Sequence, residues 1–339
     1  MATIFFGSNK VVNGTPDDDS IIGNQPTGNI NDVVYGHQGD DSITTTNGLF
    51  VSTVYGGQGN DTISDGVPIF GPPTTGGNVI YGNLGNDLIN SGTGSIGTEF
   101  DTIYGGQGND TVISLNTGGG TIYGNLGNDS IDHDGGGTMN FYGGQGDDTI
   151  IDFASGQDVI YGNQGNDLLI GSGGTDDTHE YGGQGNDTLV FTGIGGSQTF
   201  NDVETGNLGN DLFVATGNNS FGFLEDADEI VTVTDFLQGT DLLSESDDAI
   251  GGFVGGLQKI AAPGANAQQA LNDANLAYAL NSTERYVFVY GGTGAGYLFF
   301  NGNPGQNQDF ATAGMAIEGH TNPILASDIT TIPNNVPIA

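Results

Sequence analysis

Cysteine, basic residues and long apolar runs are missing or scarce in this 339-residue chain. Without cysteine it has neither a disulfide framework nor a thiolate metal site. Only Lys10, Lys259 and Arg285 oppose 41 acidic residues, so the formal net charge is -38. Nucleic acid and anionic membrane surfaces are excluded as partners, because proteins bind both through Lys and Arg.

Membrane insertion is excluded as well, since no segment approaches the roughly 18 apolar residues of a membrane span. Residues 1–9 show no charged leader followed by an apolar run, so we expect no cleaved secretory signal there. The composition alone would also fit a disordered acidic segment. Because so much like charge opposes compaction, a folded form needs counter-ions, and a bound divalent cation is the obvious one.

Glycine is abundant, at 63 residues, and much of it lies in a nine-residue word that recurs from residue 14 to about residue 214. Clear copies begin at Gly56, Gly105 and Gly182 and read G-G-x-G-x-D-x-U-x, where U is aliphatic. The sixth position is filled by Asp19, Asp41, Asp61, Asp87, Asp110, Asp129, Asp148, Asp167, Asp187 and Asp211. Chance does not produce ten such matches.

The words recur about every two nonapeptides, and a second apolar stretch such as Thr102-Ile103 lies between them. We interpret one coil as a motif turn, a short strand, a degenerate turn and a second short strand. Ile63 and Ile103 then point inward in ladders, because alternate residues of a strand face opposite sides. The predicted fold is all-β: a parallel β-roll (β-solenoid) of about ten coils with a small mixed C-terminal cap domain.

The residue types of the motif turn favour calcium. Glycine at the first, second and fourth positions is expected to adopt positive φ and turn carbonyls toward one point, and Asp supplies a hard anionic oxygen. Coils stacked about 4.8 Å apart would surround an ion with six or so oxygens at about 2.3–2.6 Å, which suits Ca²⁺ better than Mg²⁺. The predicted ligands are the ten aspartates and the fourth-position glycines, Gly39, Gly59, Gly85, Gly108, Gly127, Gly146, Gly165, Gly185 and Gly209.

Glycine-Asn-Asp words also occur as simple turns, but an isolated turn does not need an aliphatic residue two places after each Asp. Residues 14–215 resemble the repeat-in-toxin (RTX, hemolysin-type) calcium-binding nonapeptide family. The resemblance implies a parallel β-roll with several Ca²⁺ ions in its turns. The chain departs from the family in carrying one full motif per coil, so we expect one rich calcium column and a poorer opposite edge, where partial turns such as residues 172–177 could hold scattered ions.

Four further features bear on the surface and on the packing. Position two alternates between Gly and Asn along the words, and tyrosine precedes eight of them, at Tyr35, Tyr55, Tyr81, Tyr104, Tyr123, Tyr142, Tyr161 and Tyr181. These tyrosines should form an outward row, either a self-stabilising stack or an adhesion and assembly surface. Residues 67–73 contain three prolines and are predicted to be an exposed loop. Glu180 and Glu204 replace inward aliphatics, which suggests that the roll changes register there.

From residue 228 the pattern changes. Ala267, Ala270, Leu271, Ala274 and Ala277 form a helical stripe, and strand-like runs follow at residues 286–290, 297–300 and 310–317. The region resembles the C-terminal domain of serralysin-type exported proteins, which implies uncleaved type I export. An apolar cap on the last coil is the alternative, and one domain can serve both purposes. The predicted domains are 1–13, an N-terminal strand or cap; 14–227, the calcium-binding roll; and 228–339, the capping and secretion-signal domain.

The usual catalytic signatures are absent. His37, His133, His179 and His320 show no H-E-x-x-H spacing, and no serine lies in G-x-S-x-G, so we predict that the chain is not an enzyme. The favoured function is a secreted, Ca²⁺-dependent structural or self-assembling protein of the cell surface or extracellular matrix, such as an S-layer, sheath or filament subunit. Its expected partner is itself, as a homo-oligomer.

Two other functions remain open at this point. An extracellular polysaccharide-binding or adhesin roll would resemble the repeat modules of alginate-modifying enzymes, with cell-surface polysaccharide as partner, but three basic residues are few for acidic polysaccharides. An ice-binding roll would require a flat, regular threonine array, whereas the outward rows mix Thr with Leu, Asn and His.

The charge of -38 beside ten aligned Asp turns predicts that calcium drives folding. Circular dichroism should show a largely unstructured chain in chelator and a β-rich one in millimolar Ca²⁺. Identical spectra in the two conditions would contradict this prediction.

Overall fold

A computed structural model of the chain describes residues 2–6, 11–23, 32–45, 52–65, 77–91, 100–115, 118–154, 156–173, 178–193, 202–216, 231–246, 257–280, 286–292, 294–300, 311, 313–320 and 322–330. They belong to two compact units, residues 1–168 and 169–339. No helix in the described part of the chain is long and apolar enough to cross a membrane.

Short strands of two alternating series build the first unit. One series contains β1 (Thr3–Phe6), β3 (Ser20–Gly23), β5 (Ser42–Thr45), β7 (Thr62–Asp65), β9 (Leu88–Ser91), β11 (Thr111–Ser114), β13 (Ser130–His133) and β15 (Thr149–Asp152). The other contains β2 (Val11–Asn13), β4 (Val33–Gln38), β6 (Thr53–Gln58), β8 (Val79–Leu84), β10 (Asp101–Gln107), β12 (Gly120–Leu126), β14 (Met139–Gln145) and β16 (Val159–Gln164). Each series forms one parallel sheet in sequential order, as expected of a β-solenoid.

Constant register puts the same position of every word in one row. Ile103 pairs with Ile80 on one side and Ile122 on the other, and Tyr104 pairs with Tyr81 and Tyr123. Burial alternates along each strand, as the two-residue period requires. The inner rows are aliphatic and fully buried, so the interior of the roll is a stack of apolar ladders.

The alternation of Gly and Asn at position two has a backbone explanation. Gly57 and Gly106 have φ of 126°, while Asn83 and Asn125 have φ of 80° and 79°. Asparagine tolerates this left-handed region better than other residues with a Cβ. Its side-chain amide donates to the carbonyl of the residue two places earlier, as Asn83 Nδ2 does to Tyr81 at 3.4 Å. Both residue types therefore make the same turn.

The second unit continues the same pattern and then departs from it. Its roll strands are β17 (Leu168–Gly173), β18 (His179–Gln184), β19 (Thr188–Gly193), β20 (Val203–Leu208), β21 (Leu212–Thr216), β22 (Val231–Val233) and β23 (Leu242–Ser246). Its later elements are β24 (Leu257–Ala261), α1 (Ala267–Leu280), β25 (Tyr286–Tyr290), β26 (Ala295–Phe300), β27 (Ala313–Glu318) and a 3-10 helix at Ala326–Asp328. Strand β27 pairs parallel with β22, whereas β26 is antiparallel to both β27 and β25.

Helix α1 covers this mixed sheet with the predicted stripe of small and apolar residues. Its N-terminus has a capping box, because Asn266 Oδ1 accepts the Gln269 N–H at 2.9 Å and Gln269 Oε1 accepts the Asn266 N–H at 3.1 Å. Tyr278 is fully buried, and its hydroxyl donates to the Phe299 carbonyl at 2.8 Å. The predicted helix and the mixed character of the region are confirmed.

Two expectations need correction. Among the described residues the roll has about eight regular turns, slightly fewer than the ten predicted. The register does not change at Glu180 and Glu204: they pair directly with each other, and both side chains point inward like the aliphatics they replace. The predicted loop at 67–73 lies outside the described residues, and the domain boundaries stay predictions.

Candidate metal centre

The sixth-position aspartates lie at the turn where one sheet series passes into the other, directly before the odd-numbered strands. Each of the ten predicted aspartates is 3% exposed or less. A carboxylate so deeply buried needs either hydrogen bonds or a bound cation. The two oxygens of these carboxylates have different surroundings.

The first oxygen, Oδ1, joins consecutive coils. The backbone N–H of Asp61 donates to Oδ1 of Asp87 at 2.7 Å, and that of Asp110 donates to Oδ1 of Asp129 at 2.7 Å. The same bond recurs from Asp19 to Asp167 in the first unit and from Asp187 through Asp211 to Asp241 in the second. Each coil is thus tied to the next by a charge-assisted hydrogen bond.

The second oxygen, Oδ2, is buried without a hydrogen-bond partner in the central words of the first unit. This holds for Asp41, Asp61, Asp87, Asp110, Asp129 and Asp148. In each of these words Oδ2 lies against the first-position glycine, close to the carbonyl oxygen of the first-position glycine of the next word, as with Asp87, Gly82 and Gly105. An anionic oxygen and a carbonyl oxygen therefore converge where no protein donor reaches.

Glycine at position one serves a different purpose from the predicted one. Positive φ is found at positions two and four, for example at Gly57 and Gly59, but not at Gly56 or Gly82. A Cβ at Gly82 would collide with Oδ2 of Asp87 and with the Gly105 carbonyl. Position one is glycine because it leaves room beside the carboxylate.

The first-position carbonyls were not in the predicted ligand set, although glycine at position one was expected to help turn carbonyls toward one point. The predicted ligand set contained the fourth-position glycines instead. In the structure these glycines stack from coil to coil, with the carbonyl of one against the Cα of the next, as Gly59 lies against Gly85. The signal that could have identified position one was the presence of glycine there in every word from Gly14 to Gly206.

Burial raises the pKa of the central aspartates well above the ordinary value, because it penalises the charged form. The pKa reaches about 6 for Asp87, about 7 for Asp61 and about 8 for Asp148. Neighbouring aspartates add like-charge repulsion at Asp61 and Asp148. A cation beside Oδ2 would relieve both effects.

At two other aspartates, Asp19 and Asp241, protein donors reach Oδ2 instead. Oδ2 of Asp19 accepts the Thr15 N–H at 2.6 Å and the Thr15 hydroxyl at 2.9 Å, and the Thr15 backbone bond lowers the pKa of Asp19. Oδ2 of Asp241 accepts the Leu237 N–H at 2.7 Å. These carboxylates already have partners for both oxygens, so they are poorer candidates for an ion.

Asp241 is an eleventh sixth-position aspartate that sequence analysis missed. Its Oδ1 accepts the Asp211 N–H at 3.1 Å, and Leu242 and Leu243 pair with Leu212 and Phe213. The signal was the sequence Gln238-Gly239-Thr240-Asp241-Leu242-Leu243, which matches positions three to eight of the word.

The exposed side of the turn has a second ladder, at position five. Asn86 Oδ1 accepts the Asn109 N–H at 2.7 Å, and Asn109 Oδ1 accepts the Asn128 N–H at 2.8 Å. These side chains satisfy the turn's outer backbone donors, which the aspartates do not reach. Sequence analysis did not identify this role of position five.

The opposite edge of the roll also buries polar groups. Oδ1 of Asp101 accepts the Asn78 N–H, and Oδ1 of Asp158 accepts the Met139 N–H, both at 2.6 Å. His133 is fully buried there, and burial lowers its pKa. Nδ1 of the ring lies 3.0 Å from the Ser114 carbonyl oxygen, which can only accept, so Nδ1 carries a hydrogen and donates it. The suggested partial turn at 172–177 lies mostly outside the described residues.

The tyrosine row predicted for the outside of the roll is present in the first unit. From Tyr35 to Tyr161, consecutive rings stack with centroids 4.8–5.0 Å apart and planes within 10° of parallel. Each ring is half-buried by its neighbours. Beside the rings runs a groove of about 820 Å³, lined by Tyr81 to Tyr142 and by Asn, Gln and Leu side chains of the turns.

Comparison with known proteins identifies the repeat. The family model of the RTX calcium-binding nonapeptide repeat matches residues 27–48, 52–66, 74–95, 97–116 and 154–178. These segments carry the RTX calcium-binding nonapeptide repeat, and the chain folds as a parallel β-solenoid. The matched segments contain Asp41, Asp61, Asp87, Asp110 and Asp167, and the unmatched words of Asp129 and Asp148 make the same hydrogen bonds.

One solved structure similar to this chain is a hyperactive, Ca²⁺-dependent, β-helical antifreeze protein from an Antarctic bacterium. The sequences are 17% identical, the match covers 85% of this chain and 92% of that one, and the TM-score is 0.46. No curated protein matches the chain.

The residues present fit calcium, which RTX nonapeptide repeats bind. Orphaned anionic oxygens beside carbonyl oxygens are the hard ligands that Ca²⁺ prefers. Among the described residues no three Asp, Glu or His side chains form a metal site by themselves, so carbonyls and water would complete each ion's shell. Bound calcium would supply the positive charge that the buried carboxylates lack.

Substitution of Asp129 should affect calcium binding more than substitution of Asp19. Asp129→Asn retains a carbonyl acceptor for the Asp110 N–H but loses the anionic Oδ2, so it should remove about one ion per chain and raise the calcium midpoint of folding. Asp19→Asn is the matched control, because Thr15 already satisfies its Oδ2. Equilibrium dialysis and calcium titration followed by circular dichroism measure both effects. Equal changes in the two variants would contradict the prediction that an aspartate whose Oδ2 lacks a protein donor matters more for calcium than one whose Oδ2 has such a donor.

Acid should stabilise the calcium-free roll. The folded pKa values of about 6 to 8 at Asp87 and Asp148 exceed the ordinary 3.8, so the folded state binds more protons than the unfolded state between about pH 4 and 8. Its stability is therefore largest below pH 4 and declines as the pH rises toward 8. In chelator, β-sheet circular dichroism should be stronger at pH 5 than at pH 8, with sedimentation velocity to exclude aggregates. A calcium-free protein more stable at pH 8 would contradict the assignment.

Proposed function

We propose that this RTX roll is a secreted, calcium-dependent structural protein that assembles with copies of itself at a cell surface or in an extracellular matrix, as an S-layer, sheath or filament subunit. The observation that carries the proposal is the tyrosine ladder, a row of stacked aromatic rings that repeats with the coil spacing. Rolls of this family are typically non-enzymatic, and RTX proteins are generally secreted. Extracellular calcium would then be the signal that folds the subunit.

The ladder is suited to binding another periodic surface. Stacked aromatic pairs contribute about 1 kcal/mol each, so the row is rigid before any partner arrives. At position three of the turns, Leu84 and Leu126 are each 40% exposed and alternate with glutamines. A second copy of the chain offers the same spacing, which makes it the natural partner for such a surface.

The N-terminal end of the first unit offers a second contact surface. Among the described residues β1 pairs only with β3, and β2 only with β4. Phe5 and Val11 on these strands are 66% and 64% exposed. An open strand edge pairs readily with another chain. A head-to-tail contact between unlike surfaces would propagate a filament or sheet rather than close a dimer.

Polysaccharide binding is the second candidate function, favoured by the groove beside the tyrosine ladder. Its lining combines aromatic rings with Asn and Gln side chains, which suits a neutral sugar chain. The net charge of -38 disfavours an acidic one. In this case the roll would be an adhesin or carbohydrate-binding module, and soluble as a monomer.

Two variants should separate the candidate assembly surfaces. Deletion of residues 1–13 should leave a folded roll that no longer associates end to end, since it removes β1 and β2. Tyr104→Ser/Tyr123→Ser should weaken lateral association, and Leu276→Ser, which removes an exposed side chain on α1, is the control. Light scattering and negative-stain microscopy with and without Ca²⁺ give the result.

Growth that survives the deletion but not the tyrosine changes would assign the contact to the ladder. Wild-type protein that stays monomeric at high concentration in calcium would contradict assembly. If that monomer also bound a neutral polysaccharide, and the double tyrosine variant did not, the second function would be favoured.

A further inference from the structure

Two glutamates are buried inside the roll of the second unit. Glu180 on β18 is 3% exposed and Glu204 on β20 is 2% exposed. They are direct register partners on neighbouring parallel strands, which places their Cα atoms about 4.8 Å apart. In the first unit the corresponding inward positions are apolar, as at Phe141 and Ile160.

Three of their four carboxylate oxygens have no hydrogen-bond partner. These are Oε2 of Glu180 and both oxygens of Glu204. The remaining oxygen, Oε1 of Glu180, lies against Gly171, where any Cβ would collide with it. Glycine at that position thus makes room for the carboxylate at the far edge of the roll.

Like charge surrounds the pair. The carboxylate of Asp202, two residues before Glu204, acts electrostatically on both glutamates, and its Oδ1 accepts the Thr178 N–H at 2.7 Å. The lysine described in this unit, Lys259, is exposed on β24. Two adjacent buried carboxylates cannot both stay ionised without a compensating charge.

We propose that Glu180 and Glu204 bind a divalent cation of the calcium type inside the roll of the second unit, at a site separate from the aspartate column, with Asp202 adding negative charge nearby. The available ligands are oxygens alone, which favours a hard cation. The site differs from the nonapeptide turn because its carboxylates project from the inner faces of strands. Backbone carbonyls and water would complete the shell, since no three acidic or His side chains of the described residues form one by themselves.

The site explains why glutamate is present in an apolar ladder. Isoleucine there would stabilise the interior without needing an ion, as Ile160 does. Glutamate makes the packing of β18 against β20 depend on the cation, so this part of the second unit would order only when the ion is present.

Calcium counting on the full chain tests the proposal. Glu180→Gln/Glu204→Gln keeps the shape of the side chains and should lower the calcium bound per chain by one ion in equilibrium dialysis. Glu318→Gln, which neutralises an exposed glutamate on β27, should leave the count unchanged. Glu180→Ile/Glu204→Ile restores the apolar ladder, and it should fold, lose the same ion and need less calcium to order.

A crystal grown in calcium gives an independent result. An anomalous difference peak between Glu180 and Glu204, about 2.3–2.6 Å from their oxygens, would support the site. The proposal would be overturned if the ion count stayed unchanged in both double variants, or if the crystal showed ordered turns but no anomalous peak between Glu180 and Glu204. A proton shared by the two carboxylates would then be favoured. Neither measurement depends on self-assembly, so failure of the proposed function would not affect it.

Discussion

The buried carboxylate of the sixth-position aspartate is the group on which the rest of the roll depends. One oxygen takes the backbone N–H of the preceding coil, so the aspartate is the link between coils. The other oxygen lies beside a carbonyl and has no protein donor in the central words. A single side chain thus joins the coils and requires a cation at the same time.

This arrangement explains why so acidic a chain can fold. The column gathers negative charge in a buried row, which is unfavourable until calcium or protons neutralise it. Asp19 and Asp241 avoid the problem through the N–H groups of Thr15 and Leu237, which replace the ion with a hydrogen bond. The central aspartates of the first unit have no such donor for Oδ2, so this oxygen is left for the metal.

The other ladders follow from the same stacking. Once the aspartates set the coils in register, Asn86 and Asn109 bond from coil to coil on the outside, and the tyrosines come close enough to stack. Charge-dependent folding would thereby create the regular aromatic surface proposed for assembly. Calcium would control both the fold and the surface that the fold displays.

The sequence by itself determined the repeat, the calcium-type turn, the inward aliphatic rows, the outward tyrosines and helix α1, because each is a periodicity of neighbouring residues. Only the tertiary structure decided which carboxylate oxygen is left for the ion, why position one is glycine, that Asp241 closes the series and that Glu180 and Glu204 point inward. Those features depend on contacts with the adjacent coil, such as the bond from Asp110 to Asp129 across 19 residues. The residues that take part are visible in the sequence, as the first-position glycines and the run 238–243 are, but which atoms meet becomes visible only when the coils are stacked.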